Sequence, residues 1–452
     1  MDDGDSMAMT QLTKKFRTAH AVLAAVAVLA ATAAPLHAQE YFGDARPDAP
    51  ELAARGPLAV GVRTFVAEHA DQADVLRWSA AAPDPRYTRK LTLEVWYPAA
   101  LAPGQREHTV YTDVLGSGPN DAARPNTPFQ FNGRAARDAR PALPQGADAG
   151  ATAAGYPLVI VSHGYPGSRL QMSYLTENLA SKGYVVVAID HAESTRADKA
   201  GFASTLLNRP LDDRFVLDTV AAWGRPGSGH ALAGLVDADR TALIGYSMGG
   251  YGALTLAGAG VSAAAAAFVP GGKLAVHQAG NPQFEARRDA RIKAVVAFAP
   301  WGGAHHVWDA AGLAGLRTPT LFITGDQDDV AGYRDGVLRL FEGAVHAERY
   351  LLTYEGARHN TAPNPGSPAA AAHRDDFQAY AEPVWDTRRI NNINQHFVTA
   401  FLGIALKGEA LQAYLDLPPL AADGTIKPDP GLWKGFRPRT ALGLGLRRLA
   451  PQ

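Results

Sequence analysis

The 452-residue chain contains no cysteine. Disulfides, a thiolate nucleophile, a lipoprotein anchor and cysteine-ligated metals are therefore excluded, and stability must come from a buried core. The chain also lacks a charge bias, since 43 basic residues against 44 acidic ones give a formal net charge of −1. No field of one sign draws in nucleic acid or anionic lipid, and no local basic run reverses that. Motifs that hold metals, phosphates or dinucleotides are missing too. There is no H-E-x-x-H, no G-x-x-x-x-G-K-[ST] and no dinucleotide fingerprint, and the pair His305 and His306 has no carboxylate at ligand spacing. The expectation is chemistry without metal or cofactor and without a nucleic-acid partner.

What is present is an apolar interior: 47% of residues are hydrophobic and 19% charged, enough for one large domain with insertions or two smaller ones. Lys14, Lys15 and Arg17 precede an apolar stretch over 19–34 that is short and alanine-rich for a membrane span, and Pro35, Leu36, His37 and Ala38 then form a cleavage site. The reading is a signal peptide over 1–38, a mature chain starting near Gln39, a secreted or periplasmic location and no stable span after removal. An uncleaved anchor is the alternative.

Residues 39–88 show no clear period and read as an irregular N-terminal segment. The first strand signal is Lys90 to Tyr97, alternating as a half-buried edge strand does. Residues 99–155, rich in Pro, Gly, Ala and Asn, read as a surface excursion. From Pro157 onward, apolar runs bounded by Gly, Pro or Asp recur: PLVIVS (157–162), YVVVAI (184–189), TALIG (241–245), IKAVVAF (292–298), PTLFIT (319–324) and ERYLLTY (348–354). Such runs suit strands buried on both faces. Helical spacing separates them, as at Leu170, Tyr174, Leu175 and Leu179 or at Phe215, Val216, Val220 and Trp223. The expected fold is a doubly wound, mostly parallel α/β sheet over 89–410, with ligands bound beyond the carboxyl ends of its strands. Residues 260–290 are either a cap or a surface loop, 384–407 a closing helix, and 411–452 a C-terminal extension.

Gly245-Tyr246-Ser247-Met248-Gly249 matches G-x-S-x-G between a strand and a helix-compatible run. That context is the nucleophile elbow, a strained turn lifting the serine oxygen above the sheet. The Met248 N–H, opening the helix, can donate to a developing oxyanion. PLVIVS ends in His163-Gly164-Tyr165-Pro166-Gly167, where the Tyr165 N–H supplies the second donor and its ring a wall of the site. His163 braces that loop in this reading. The chain order Ser, Asp, His directs the search for the other two members. Asp326, Asp328 and Asp329 follow the 319–324 strand; Asp328, three positions beyond the turn glycine, is the first choice and Asp326 the second. His359 follows the 348–354 strand and is the base, while His305 and His306 precede the acid and His396 sits in a helix. Trp301, after the 292–298 strand, either stacks on substrate or lies buried under the insertion.

Taken together, LTLEVWYPA (91–99), VSHGYPGS (161–168), NRPLDDRFVLD (208–218), GYSMGGYGAL (245–254), GARHN (356–360) and HFVTAFLGIALKG (396–408) resemble bacterial dienelactone-hydrolase-like proteins, relatives of platelet-activating-factor acetylhydrolases. True dienelactone hydrolases carry a cysteine nucleophile where this chain has Ser247. The core is also similar to bacterial cutinases and polyester hydrolases, which implies matching roles for Tyr165, Met248, Trp301 and Asp328. It departs from them in HGYPG, in two glycines after Trp301, in lacking a cysteine pair and in longer termini. Both resemblances imply an α/β-hydrolase fold, no cofactor, and hydrolysis of a small-molecule or polymeric carboxylic ester through an acyl-enzyme. A serine peptidase or amidase, or a non-catalytic binding protein on the same fold, are the alternatives.

Overall fold

The computed structural model describes residues 41–144, 155–416 and 433–452. The signal-peptide reading over 1–38 lies outside the described residues. None of the described helices is long and apolar enough to cross a membrane.

Six parallel strands form the centre of one large sheet: β7 (Tyr156–Ser162), β8 (Val185–Asp190), β9 (Val236–Tyr246), β10 (Ile292–Phe298), β11 (Thr320–Gly325) and β12 (Arg349–Tyr354). Their spatial order is β12-β11-β10-β9-β7-β8. Each is a nearly unbroken apolar run because both of its faces are covered. Leu158 and Ile160 of β7 face a layer built from α2 (Phe202–Gly224) and α3 (Met248–Leu256). Val159 and Val161 face the opposite layer, built from α1 (Ser173–Ser181) and α4 (Thr387–Leu402). Winding runs from β7 outward to β8 in one direction and from β9 outward to β10 in the other. The carboxyl ends of β7 and β9 therefore flank a crevice at the switch point.

Two sequence expectations are corrected, and two further segments prove to contain strands. Residues 39–88 are not irregular throughout, because β1 (Val60–Ala73) pairs antiparallel with β2 (Arg86–Ala100). Strand β2 is not an edge: it lies between β1 and β8, and residues 93–99 are all buried. The 99–155 stretch contains a two-stranded sheet of β3 (Thr109–Leu115) and β4 (Thr127–Gly133), together with β5 (Ala136–Arg137) and β6 (Arg140–Pro141) on β1 and β2. The C-terminal extension returns to the sheet as β13 (Leu444–Leu449), antiparallel to β12.

The 260–290 insertion folds into short helical turns, Ala265–Phe268, Pro270–His277 and Pro282–Glu285. It is tied to α2, where His277 Nε2 donates to the Leu207 carbonyl at 2.8 Å, and to the loop after β10, where the Ser262 N–H donates to the Val307 carbonyl at 2.7 Å. Residues 41–58 are stitched to the far end of the chain. The Arg46 N–H donates to Asn392 at 3.0 Å, the Leu52 N–H to His396 Nδ1 at 3.1 Å, and Gln395 to the Gly43 carbonyl at 3.0 Å.

Candidate active site

Ser247 sits between β9 and α3 with φ 52° and ψ −112°, a strained backbone for a residue bearing a Cβ. The glycines around it make the turn possible. A Cβ on Gly245 would lie 2.2 Å from the Gly249 carbonyl oxygen, and one on Gly249 only 1.9 Å from that of Ser162. The turn is pinned from the next strand, since the Ser247 N–H donates to the Phe298 carbonyl at 2.9 Å and the Trp301 N–H to the Ser247 carbonyl at 3.1 Å.

His359 Nε2 lies 3.0 Å from Ser247 Oγ, and His359 Nδ1 lies 3.0 Å from each Asp328 carboxylate oxygen. The three side chains come from the carboxyl ends of β9, β11 and β12, and the residues keep only 7%, 6% and 8% exposure for Ser247, Asp328 and His359. They are shielded yet reachable. Asp328 also accepts the N–H groups of Val330 at 2.9 Å and Ala331 at 2.8 Å. Burial works to raise its carboxyl, but His359 and these two amides outweigh it and hold the group below the usual carboxylate range. An anion stays beside the imidazole, suited to stabilising its protonated form.

The neighbouring acids do other work. Asp326 accepts the Gly356 N–H at 2.7 Å, and Asp329 pairs with Arg358 at the surface. The turn and the histidine loop approach so closely that a Cβ on Gly325 would lie 2.1 Å from the Ala357 carbonyl oxygen. His305 and His306 are exposed, while His396 is buried in α4.

Glu382 was not legible in the sequence. Its carboxylate accepts the N–H of Arg358 and the N–H of Asn360, each at 2.6 Å, and so grips the backbone on either side of His359. Burial raises its pKa, although the two N–H groups pull the other way.

The loop after β7 also has a brace. His163 is buried; its Nδ1 donates to the Gly164 carbonyl at 2.6 Å and its Nε2 accepts the His191 N–H at 3.2 Å. Burial, Arg209 and His191 push its pKa well down, so it is neutral. Arg209 of α2 reaches the carbonyls of both His163 and Gly164 from below, the latter at 3.0 Å. Arg209 itself is buried, which lowers it to about 10, and the buried Asp213 beside it is pushed up to about 8. The sequence signal for this network was a run of charges, Arg209, Asp212 and Asp213, in the middle of a helix.

That network holds a second Ser-His-Asp string. Ser162 Oγ lies 2.8 Å from His191 Nε2, and His191 Nδ1 lies 3.1 Å from Asp212. Its three residues are at most 1% exposed, so no substrate reaches it, and burial pushes His191 down to about 3. Access separates the two strings.

Beside Ser247 runs an aromatic row. The Tyr165 ring meets Phe202 edge-on at 5.2 Å, Phe202 meets Trp301 edge-on at 5.1 Å, and Trp301 stacks on His305 at 4.5 Å. Tyr165 and Trp301 are half-buried. The Met248 N–H opens α3, and a Cβ on Gly164, next to Tyr165, would sit 3.6 Å from the Ser247 Cβ. Both loops meet over the serine. Among the described residues, no cluster of three or more His, Cys, Asp or Glu side chains could hold a metal ion.

With this geometry in hand, comparison with known proteins is informative. Residues 146–274 match the family model described as PETase, PET hydrolase-like, a span that includes Tyr165, Ser247 and Met248. Over 176 residues the chain is 28% identical to Cutinase 2 of Thermobifida cellulosilytica, covering 39% of this chain and 49% of that protein. Over 102 residues it is 35% identical to Cutinase est2 of Thermobifida alba, covering 23% of this chain and 30% of that protein. The chain thus spans about half the length, or less, of the curated relatives it matches. A ferulic acid esterase from Streptomyces cinnamoneus superposes with a TM-score of 0.52 at 21% identity, over 80% of this chain and 94% of that one. The fold is that of an α/β-hydrolase, and the sequence of its core is similar to cutinases and polyester hydrolases.

Proposed function

We propose that the chain is an exported serine carboxylic ester hydrolase that works through an acyl-enzyme on Ser247. One observation carries the reading: a serine, a histidine and an aspartate in that chain order, linked by 3.0 Å contacts at the mouth of the switch-point crevice. Ser247 Oγ attacks the ester carbonyl carbon as its proton passes to His359 Nε2. Asp328 fixes the imidazole with its proton on Nδ1 and stabilises the imidazolium. The N–H groups of Met248 and Tyr165 receive the negative charge that forms on the carbonyl oxygen. The tetrahedral intermediate then expels the alcohol, which takes the proton from Nε2. A water molecule, deprotonated by His359, releases the acid and restores the serine.

The half-buried rings of Tyr165 and Trp301 beside the nucleophile support a flat or extended acyl group lying along the aromatic row. The similarity to cutinases supports a polyester or short-chain ester; aryl and phospholipid-type acetyl esters share the same chemistry. The apolar segment before Ala38 supports export.

The test is a panel of chromogenic esters of graded acyl length, one lactone, a polyester film and one anilide, run on wild type and Ser247→Ala. Wild type should hydrolyse esters, and the variant should lose roughly 10³-fold or more. A variant that keeps its rate removes Ser247 as nucleophile, and cleavage of the anilide alone makes the chain an amidase.

A further inference from the structure

At the far end of α3 from Ser247 lies a second cleft of about 690 Å³. Thr255 and Leu256, in the last turn of this nine-residue helix, line it, whereas Ser247 caps the first turn. At about 1.5 Å per residue the two ends are roughly 13 Å apart. The other walls are α2, the end of β1 and the 260–290 insertion. Its volume falls within the range of small-molecule sites.

The lining combines apolar side chains, Leu207, Leu211, Phe215, Leu256, Val276 and Phe284, with an excess of cations. All but one of those cations has a carboxylate partner. Arg86 pairs with Asp71, Arg214 with Asp218 and Asp289, Lys273 with Asp84, and Arg288 with Glu285. Arg287 has none among the described residues, and its Nη1 is buried without a hydrogen-bond partner. Burial and the neighbouring Arg214 push its pKa below the ordinary arginine value, the expected strain on a cation that no anion offsets. A half-buried guanidinium left this way is a planar two-pronged donor matched to a carboxylate.

We propose that this cleft binds an alkyl monocarboxylate, its carboxylate on Arg287 and its chain along the apolar wall. The proposal stands apart from the chemistry at Ser247. A free fatty acid and the acid product of an ester are the same ligand here.

The test is calorimetric titration of the full chain with dodecanoate below its micelle concentration, with dodecanol and inorganic phosphate as the other probes. Arg287→Gln should weaken dodecanoate at least about tenfold, the weight of one charge-assisted hydrogen bond, and leave dodecanol unchanged. Val276→Trp, which fills the apolar wall, should weaken both. Dodecanoate binding that is unchanged in Arg287→Gln overturns the proposal, as does unchanged binding of both probes in Val276→Trp. Phosphate binding as tight as dodecanoate also overturns it, since the site would then be one for simple anions. None of these readouts uses ester turnover, so this proposal and the catalytic one fail separately.

Discussion

Glu382 offers a measurement in which positioning and stability part company. In Glu382→Gln the amide keeps an oxygen for one of the two N–H groups and turns its own NH₂ toward the other. One of the 2.6 Å bonds to Arg358 and Asn360 is lost, and the other becomes neutral. Charge-assisted hydrogen bonds contribute about 1.5–3 kcal/mol and neutral ones about 1, so the loop loses roughly 2–5 kcal/mol of local hold. Part of that is retained by Asn360 Nδ2, which donates to the carbonyls of Gln378 at 2.7 Å and Ala381 at 3.0 Å. What reaches His359 is a small displacement from Ser247, and misplacing a catalytic group by about 1 Å costs on the order of 100-fold. The expected result on a soluble chromogenic ester is kcat down by about 10- to 100-fold with KM nearly unchanged, because no substrate contact is removed. Melting is followed on the same samples. A variant whose Tm falls while kcat stays within about twofold of wild type, assayed well below its Tm, would show that Glu382 only stabilises the loop.

Two further outcomes concern the acids. Asp328→Asn should cost roughly 10⁴-fold in kcat, the scale for neutralising the acid of such a triad. Asp326→Asn, whose carboxylate accepts from the Gly356 N–H and the Gln327 side chain and does not bond His359, should keep most of its rate; the reverse ranking in ester kinetics would exchange their roles. Because Asp328 titrates below its ordinary value of 3.8, its ionised form adds stability that is complete above that value and is lost as pH falls through the lower folded one. The gap in Tm between wild type and Asp328→Asn should therefore be widest above the ordinary value of 3.8 and shrink as pH falls below it, and a gap that widens on acidification contradicts the direction.

The parallel centre of the sheet was readable because burial on both faces forces an apolar run, as in PLVIVS and IKAVVAF, whatever lies around it. Strand β1 escaped for the opposite reason. Beyond residue 67 it is a two-stranded ribbon held to β2 by backbone pairing, with Glu68, Asp71 and Gln72 turned outward, so no periodicity marks it. Strand β13 buries only Leu444 and Leu446 and exposes Arg447 and Arg448, too little to distinguish a strand from a tail. The side chains of Ser247, Asp328 and His359 could be found because each follows a readable strand in a fixed chain order. Glu382 could not, since it acts on main-chain N–H groups, which leave no mark on the sequence.

The stitching of residues 41–58 to α4 affects how the molecule is finished. Gly43, Arg46 and Leu52 are synthesised early, yet their partners Gln395, Asn392 and His396 come about 350 positions later. Until a ribosome has delivered those segments, Gly43, Arg46 and Leu52 lack these partners, the stretch is held through earlier ones such as Ser181, whose hydroxyl accepts the Gly56 N–H at 2.9 Å, and the part of the β7 face that α4 covers remains wet. Closure of the fold is thus a late event of high contact order, and a chain halted after His359 carries every residue of the proposed reaction without α4, which completes the layer beneath them.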